Sequence, residues 1–221
     1  MRSQLKAVLF DLDGTLIDSA QDLGAAAEKV RAVRGLPPLG LDAYRSMAGA
    51  GARGMLGIAL GVTPASPDYE ALKHEFLDNY EAAMTVHTRV FEGVSDMLAA
   101  LTASGLAWGI VTNKAERFTL PLVRSLPTLA PAAVLVGGDT TPFAKPHPAP
   151  LLEAALRLEL APGQCLYVGD DERDVVAGRA AGMQTVAAQY GYLGAAADTS
   201  TWGADFCIDA PVELLKLLDV A

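Results

Sequence analysis

The sequence has 221 residues, of which 51% are hydrophobic and 19% are charged, a composition typical of a folded globular protein. Its formal net charge of −9 would repel a phosphate backbone, and no cluster of Lys and Arg with interleaved aromatics is present. Nucleic acid is therefore excluded as a partner. No signal-peptide core precedes residue 11 and no later apolar stretch could span a bilayer, which predicts a cytoplasmic protein without a membrane partner.

Short apolar runs that end at polar residues or glycine recur along the chain. The first, Ala7–Phe10, stops at Asp11 and Gly14, as expected of a strand buried on both faces of a parallel sheet. Similar runs follow at Trp108–Val111, Ala133–Val136, Cys165–Val168 and Thr185–Ala188. Helical patterns lie between them, at Val94–Ala103, Phe118–Leu126, Ala149–Leu158 and Asp174–Ala181. This alternation predicts an α/β fold with a doubly wound, Rossmann-like parallel sheet.

The segment from Ser19 to about Met84 breaks the alternation because it contains helical patterns only. Leu72, Phe76 and Tyr80, for example, recur at helical spacing. We therefore expect a helical cap domain at residues 18–85, inserted into an α/β core formed by residues 1–17 and 86–221. The two crossings between these domains would form a hinge.

The two cysteines, Cys165 and Cys207, are far apart in sequence. They form neither a metal-ligand pair nor a disulfide framework. Both lie in apolar sequence surroundings, so the sequence predicts two buried thiols in a reducing compartment.

Two carboxylates directly follow the first predicted strand. Asp11 and Asp13 are two positions apart, so an extended backbone sends both side chains in the same direction. That proximity is electrostatically costly unless a cation lies between them. The alternative is an ordinary acidic turn, with Asp13-Gly14 as a common turn dipeptide.

A second acidic group, Gly169–Asp174, follows the fourth predicted strand and begins a helix. Acids at this position could simply cap the helix N-terminus. Capping needs only one or two of them, however, and the group lies at the sheet edge where open α/β sheets bind ligands. Magnesium prefers oxygen ligands and is usually bound by one or two carboxylates plus substrate phosphate. Asp11 and Asp170 are therefore the first candidates for direct Mg²⁺ ligands.

A hydroxyl and a cation accompany these acids along the chain. Thr112-Asn113 follows the second predicted strand, and Lys145 lies in the sequence Ala144-Lys145-Pro146. Taken alone, Thr112 could be a helix cap and Lys145 a solvated loop lysine. Their order along the chain, together with both acidic groups, favours a common site.

In this order the four segments resemble the motifs of the haloacid dehalogenase superfamily. They are Asp11–Thr15, Thr112-Asn113, Lys145-Pro146 and Gly169–Asp174, and the resemblance covers nearly the full chain. It implies a Mg²⁺-dependent phosphatase that acts on a small phosphate monoester through an aspartyl-phosphate. The dehalogenase branch has no aspartate at the position of Asp13, which favours phosphate chemistry.

The resemblance also implies a role for each residue of the motifs. Asp11 would be the nucleophile, and Asp13 would be the general acid and base. Thr112 and Lys145 would stabilise the transferring phosphoryl group, and Asn113 would contact the substrate.

Mg²⁺ is the cofactor that the resemblance implies. Asp11, Asp170 and the backbone carbonyl of Asp13 would hold the ion. Asp171 and Asp174 would support these ligands or replace one of them, and the sequence leaves open which of the two touches the metal.

The segment Ser46–Arg53 is the best candidate for a substrate loop in the predicted cap. Its glycines permit close backbone approach, and Arg53 can bind a carboxylate or a phosphate with two hydrogen bonds. A turn between helices with a surface arginine is the alternative. The region is similar to the caps of phosphoglycolate phosphatases and of N-acetylmuramic acid 6-phosphate phosphatases, so a carboxylate-bearing substrate is expected. Five segments favour the second group: Gly49–Met55, Trp108–Lys114, Gly169–Asp171, Tyr190–Tyr192 and Trp202–Asp205.

Two other functions are compatible with the same motifs. A phosphomutase would return the phosphoryl group to a bisphosphate intermediate, and sugar-phosphate isomerisation without free phosphate would identify it. A non-catalytic binding protein is disfavoured, because it would not need to keep the whole set Asp11, Asp13, Thr112, Lys145 and Asp170.

The cap is expected to close over the site. The chain is expected to be a monomer or a homodimer.

Overall fold

The computed structural model describes residues 4–193 and 198–220. The chain forms two compact units, Met1–Ile17 with Val90–Ala221 and Asp18–Arg89. The structure thus ends the inserted unit at Arg89, whereas the sequence analysis ended the cap at residue 85.

One parallel sheet organises the larger unit. The strands of the described residues are β1 (Ala7–Phe10), β2 (Ile17–Asp18), β3 (Arg89–Val90), β4 (Ala107–Val111), β5 (Val134–Val136), β6 (Cys165–Gly169), β7 (Gln184–Ala188) and β8 (Phe206–Ile208). Except for the short pair β2 and β3, they form a six-stranded sheet in the order β5-β4-β1-β6-β7-β8. Phe10 of β1 is in register with Ile110 on one side and with Val168 on the other. The first strand of the chain therefore lies inside the sheet.

The central strands are buried because they are short apolar runs. Every residue of β1 and β6 is buried, as expected of a parallel sheet covered on both faces. The predicted α/β fold with a doubly wound parallel sheet is confirmed. The sequence analysis missed β8, because Phe206–Ile208 is short, lies at the sheet edge and is only partly buried.

Helices lie between the strands along the chain. They are α1 (Ala20–Val33), α2 (Gly51–Leu60), α3 (Tyr69–Glu81), α4 (Val94–Ala103), α5 (Glu116–Ser125), α6 (Ala149–Arg157), α7 (Glu172–Ala180) and α8 (Glu213–Leu218). Leu151 of α6 and Ala177 of α7 share a buried cluster with Leu9 of β1. None of the described helices combines the length and the apolar character needed for a membrane span.

The inserted unit consists of α1, α2, α3 and a 3-10 helix at Leu41–Ala50. Its two chain ends are fastened together by Asp22, whose carboxylate is buried near the start of α1. This carboxylate accepts hydrogen bonds from His87 N at 3.0 Å, from Thr88 N at 2.9 Å and from Thr88 Oγ1 at 2.7 Å. The entry and exit of the inserted segment are thus joined within that unit.

The two cysteines differ in exposure. Cys165 on β6 is buried, and its burial raises the pKa of the thiol to about 11. Cys207 on β8 is exposed. The prediction of two buried thiols was wrong for Cys207, because an edge strand presents alternate side chains to solvent.

Candidate active site

The carboxyl ends of three neighbouring strands bring the predicted site residues to one edge of the sheet. Asp11 follows β1, and its backbone N–H donates to Val168 O of β6 at 2.9 Å. Thr112 follows β4, and its backbone N–H donates to Val136 O of β5 at 2.9 Å. Asp170 directly follows β6. Because the strands are parallel, these residues lie at the edge where open α/β sheets bind ligands.

Asp11, Asp170 and Asp174 form a cluster of carboxylates at this edge. Each offers one oxygen, and these oxygens all lie within 4.8 Å of one another. Asp170 and Asp174 are buried, and the side chain of Asp11 is 14% exposed. Three carboxylates at this spacing are a donor set of the kind that Mg²⁺ prefers.

Burial and mutual repulsion raise the pKa values of two of these acids. Burial raises the pKa of Asp170 well above its ordinary value, and the charges of Asp11 and Asp174 raise it further. Burial also raises the pKa of Asp174, to about 6, although Lys145 opposes the change. A bound divalent cation would relieve this repulsion.

Lys145 is the buried cation of the site. Its Nζ donates to Val111 O at 3.0 Å, to Tyr167 Oη at 2.8 Å and to Asp174 Oδ1 at 2.7 Å. It also lies 2.8 Å from Asp11 Oδ1. Burial acts to lower the pKa of Lys145, but the carboxylates of Asp11 and Asp174 raise it above its ordinary value. Lys145 is therefore a fixed cation and not the solvated loop lysine that the sequence left as an alternative.

One oxygen of Asp11 is buried beside a cation and two further acids. Asp11 Oδ1 lies 2.8 Å from Lys145 Nζ, and Asp170 and Asp174 each offer a carboxylate oxygen within 4.8 Å of an Asp11 oxygen. The residues present thus fit a divalent cation.

Asp170 is held by two hydrogen bonds and by two glycines. Its carboxylate accepts from Thr15 Oγ1 at 2.9 Å and from Tyr192 N at 2.9 Å. A Cβ atom added to Gly14 or to Gly191 would collide with the Asp170 side chain. Gly14 also has a φ of +87°, which side chains disfavour. The position of Asp170 therefore depends on these neighbours.

The acidic segment after β6 divides into two roles. Asp174 belongs to the carboxylate cluster, and a Cβ atom on Gly169 would collide with its side chain. Asp171 is instead the N-cap of α7 and accepts from Arg173 N at 2.9 Å and from Arg173 Nε at 2.7 Å. Burial acts to raise the pKa of Asp171, but these contacts with Arg173 lower it below its ordinary value. The structure therefore does not place Asp171 among the clustered acids and gives it the capping role.

Thr112 and Asn113 have different surroundings. Thr112 Oγ1 accepts from Lys114 N at 3.1 Å, so its own proton can be donated elsewhere. Asn113 Oδ1 accepts from Lys145 N, and Asn113 Nδ2 donates to Lys145 O, both at 2.9 Å. Asn113 thus holds the backbone of Lys145, and its contact with substrate stays a prediction.

Asp13 lies in a tight turn after Asp11. The turn is closed by a hydrogen bond from Gly14 N to Ile17 O at 2.9 Å. Asp13 Oδ2 lies 3.1 Å from Lys114 Nζ, and the two side chains are 13% and 10% exposed. The carboxylate of Asp13 is outside the three-acid cluster found among the described residues, and the role of its carbonyl in metal binding stays a prediction.

The family model described as haloacid dehalogenase-like hydrolase matches residues 8–188, a range that includes every site residue from Asp11 to Asp174. The chain belongs to this family. The resemblance that the four motifs indicated is thereby confirmed.

Curated relatives of this hydrolase are named as phosphatases. N-acetylmuramic acid 6-phosphate phosphatase from Pseudomonas aeruginosa is 43% identical over 220 residues, which cover 100% of this chain and 97% of the relative. Phosphoglycolate phosphatase from Xanthomonas campestris pv. campestris is 46% identical over 209 residues, which cover 95% and 94%. The crystal structure of a predicted phosphoglycolate phosphatase from Haemophilus somnus 129PT has a TM-score of 0.84 at 28% identity, covering 97% of this chain and 98% of that one.

Sequence reasoning missed three polar side chains of the hydrolase site. Tyr167 looked like a core residue of β6, although a buried tyrosine hydroxyl usually has a polar partner, here Lys145. Thr15 lies inside the first motif but received no role of its own. Lys114 directly follows Asn113, and this position beside a motif was the only sign in the sequence that Lys114 belongs to the site.

Arg53 lies in the inserted unit of the hydrolase, in the first turn of α2. It is exposed and follows Gly51, whose φ is +57° and where the 3-10 helix Leu41–Ala50 ends. The segment Ser46–Arg53 is therefore a junction between helices and not an extended loop. Its contact with substrate stays a prediction.

Proposed function

We propose that this hydrolase is a phosphatase that releases phosphate from a small phosphate monoester through a covalent aspartyl-phosphate on Asp11. One observation carries the proposal: a buried oxygen of Asp11 lies in contact with the fixed ammonium of Lys145 and beside two further acids. The names of the relatives support the same reaction.

Asp11, Asp170 and Asp174 would hold Mg²⁺, because their oxygens are close enough to share one ion. The backbone carbonyl of Asp13 is a further candidate ligand. Bound there, Mg²⁺ would supply positive charge that stabilises the negative oxygens of the phosphoryl group.

The first half of the proposed reaction transfers the phosphoryl group to the protein. An oxygen of Asp11 forms a bond to phosphorus while the bond from phosphorus to the leaving oxygen breaks. The electron pair of the broken bond stays on the leaving oxygen, which takes a proton from Asp13. Lys145 neutralises negative charge beside Asp11, and the hydroxyl of Thr112 can donate to a phosphoryl oxygen.

The second half of the reaction restores the enzyme. Asp13, now a carboxylate, takes a proton from a water molecule whose oxygen bonds to phosphorus. The bond between phosphorus and Asp11 breaks, and its electron pair returns to the carboxylate. Inorganic phosphate leaves, and both aspartates are back in their starting forms.

Phosphoglycolate and N-acetylmuramic acid 6-phosphate are the proposed substrate candidates. Both compounds carry a carboxylate in addition to the phosphate, so a second cation outside the phosphate site would aid selection. We assign this role to Arg53, which is exposed at the start of α2 and can bind a carboxylate with two hydrogen bonds.

Replacement of Asp11 by Asn tests the mechanism. Asn keeps the shape but cannot form the phosphoenzyme, so we expect Asp11→Asn to lose phosphate release by at least about a thousandfold with the fold retained. Phosphate release and circular dichroism would be measured together. A folded Asp11→Asn protein with a large share of the activity would refute the aspartyl-phosphate.

A substrate panel tests the choice of substrate. It would contain both candidate compounds, simple hexose phosphates and p-nitrophenyl phosphate, each with Mg²⁺ and with excess EDTA. A preference for one carboxylate-bearing ester that is lost in EDTA would support the proposal. Sugar-phosphate isomerisation without free phosphate would identify a mutase instead.

A further inference from the structure

The carboxylate of Asp13 has a different cationic neighbour from that of Asp11. Lys145 contacts Asp11 and Asp174, whereas Lys114 contacts Asp13 at 3.1 Å. Both lysines are largely buried, with side chains 2% and 10% exposed. An ion pair that is shielded from water is screened less by salt than a surface pair.

Lys145 has no proton left for Asp13. Its ammonium donates to Val111 O, to Tyr167 Oη and to Asp174 Oδ1, and a lysine has three protons to donate. Asp13, which transfers the proton in the proposed reaction, therefore needs a partner other than Lys145 to fix the direction of its carboxylate. Lys114 is such a partner, because its Nζ lies 3.1 Å from Asp13 Oδ2.

The backbone of Lys114 is anchored on both sides. Its N–H donates to Thr112 Oγ1 at 3.1 Å, and its carbonyl accepts from Thr119 Oγ1 at 3.0 Å and from Gly138 N at 2.8 Å. A Cβ atom added to Gly138 would collide with the carbonyl of Asn113, the residue before Lys114. The ammonium is thus attached to a segment whose position is fixed.

We propose that Lys114 is a positioning residue that holds the carboxylate of Asp13 in place for proton transfer. The inference rests on the function proposed above and adds a residue that the family motifs, as read from the sequence, left without a role. Lys114 forms no bond to substrate in this scheme. Its removal would leave Asp13 chemically intact but without this ion pair.

The dependence on the leaving group tests this role. A sugar or glycolate alkoxide needs a proton to leave, whereas p-nitrophenolate leaves without one. General acid catalysis raises reaction rates by about 10²- to 10⁴-fold. We therefore expect Lys114→Met to lower kcat/KM by about 10- to 100-fold for whichever of the two candidate substrates the wild-type protein hydrolyses faster. The loss with p-nitrophenyl phosphate should be at least about tenfold smaller.

Three further variants separate positioning from other roles. In an Asp13→Asn background, Lys114→Met should cause little additional loss, because the group that it positions is already disabled. Lys114→Arg should regain part of the lost activity, since it restores the cation. Lys216→Met removes an exposed lysine from the last turn of α8 and should match the wild-type protein.

The outcomes distinguish this inference from the proposed function. Equal losses with both esters, a loss confined to KM, or a full further loss in the Asp13→Asn background would each overturn the role of Lys114. If the wild-type protein hydrolyses no phosphate ester, the proposed function fails instead. Crystal structures of the wild-type protein and of Lys114→Met, or Lys114→Gln if Met prevents folding, then decide, because an unmoved Asp13 carboxylate contradicts positioning.

Discussion

The sheet edge and the helix junction around Arg53 are built in opposite ways. At the sheet edge, Lys145 has four polar contacts and Asp170 has two hydrogen bonds and two glycine neighbours. At the junction, Arg53 is exposed, and an added Cβ on Gly51 would meet nothing within 4 Å. One region is fixed by many neighbours, and the other exposes its cation.

Under the proposed function, this difference would separate the groups that carry out phosphoryl transfer from the group that selects the substrate. Phosphoryl transfer requires groups held to within fractions of an ångström, because misplaced groups lose most of their effect. Choice among esters needs only a cation that can reach a second charge, and an exposed side chain can change without disturbing a core. Mutations at the sheet edge should therefore affect all substrates, whereas mutations at the junction should affect some.

Among the variants that test this difference between the two regions, the largest effect should come from adding one methyl group behind Asp170. In Gly191→Ala the new Cβ collides with the Asp170 side chain, which must move from the acidic cluster. Changes around a metal ligand cost about 10- to 100-fold in metal affinity, and we expect a loss of that size. Thermal denaturation over a series of Mg²⁺ concentrations measures it without any turnover.

Gly163→Ala is the matched control for this change. Gly163 lies in the same unit, and an added Cβ meets no atom within 4 Å. Equal Mg²⁺ affinity in both alanine variants would show that Asp170 is not a ligand or that its position does not matter.

A smaller and selective effect is expected at Arg53. Arg53→Ala should raise KM for a carboxylate-bearing phosphate ester by about tenfold, as expected for loss of one hydrogen bond to a charged group. The KM for p-nitrophenyl phosphate should stay almost constant. Arg124→Ala, which removes another exposed arginine, is the control, and an equal KM change for both esters would remove Arg53 from substrate recognition.

The smallest effect is expected at Asp171. Asp171→Ala removes the N-cap of α7, which costs about 1 kcal/mol and lowers Tm by about 2 to 4 °C in a chain of this size. Mg²⁺ affinity should fall far less than in Asp170→Asn. A comparable fall in Mg²⁺ affinity in both variants, measured by the same denaturation series, would identify Asp171 as a metal ligand.

Much of the fold could be predicted because its strands are compact apolar runs. A polar residue or a glycine lies near the end of each of β1, β4, β5, β6 and β7. The apolar run and the residue that ends it therefore predict the same strand boundary. β8 could not be found in this way, because its apolar run is only three residues long and, at the sheet edge, only partly buried. The same edge position explains why Cys207 is exposed.

The site was predictable where chain order placed acids directly after strands. Asp11 and Asp170 follow this rule, and the sheet brings them together. The sequence could not decide between Asp171 and Asp174, because the direction of a side chain at the start of a helix is not visible in its position along the chain. Lys114 and its contact with Asp13 depend on how two separate turns meet, and spacing alone does not encode that.

The strand order also determines when during synthesis the site can exist. β1 pairs with β4 and β6, which are made long after it, whereas the inserted unit folds from the segment between residues 18 and 89. A nascent chain that ends before β6 contains Asp11 and Asp13 but lacks Asp170 and Asp174. Long-range pairing of this kind is slow to form, so the growing polypeptide would carry Asp11 for most of translation before the acids proposed to bind Mg²⁺ with it have been made.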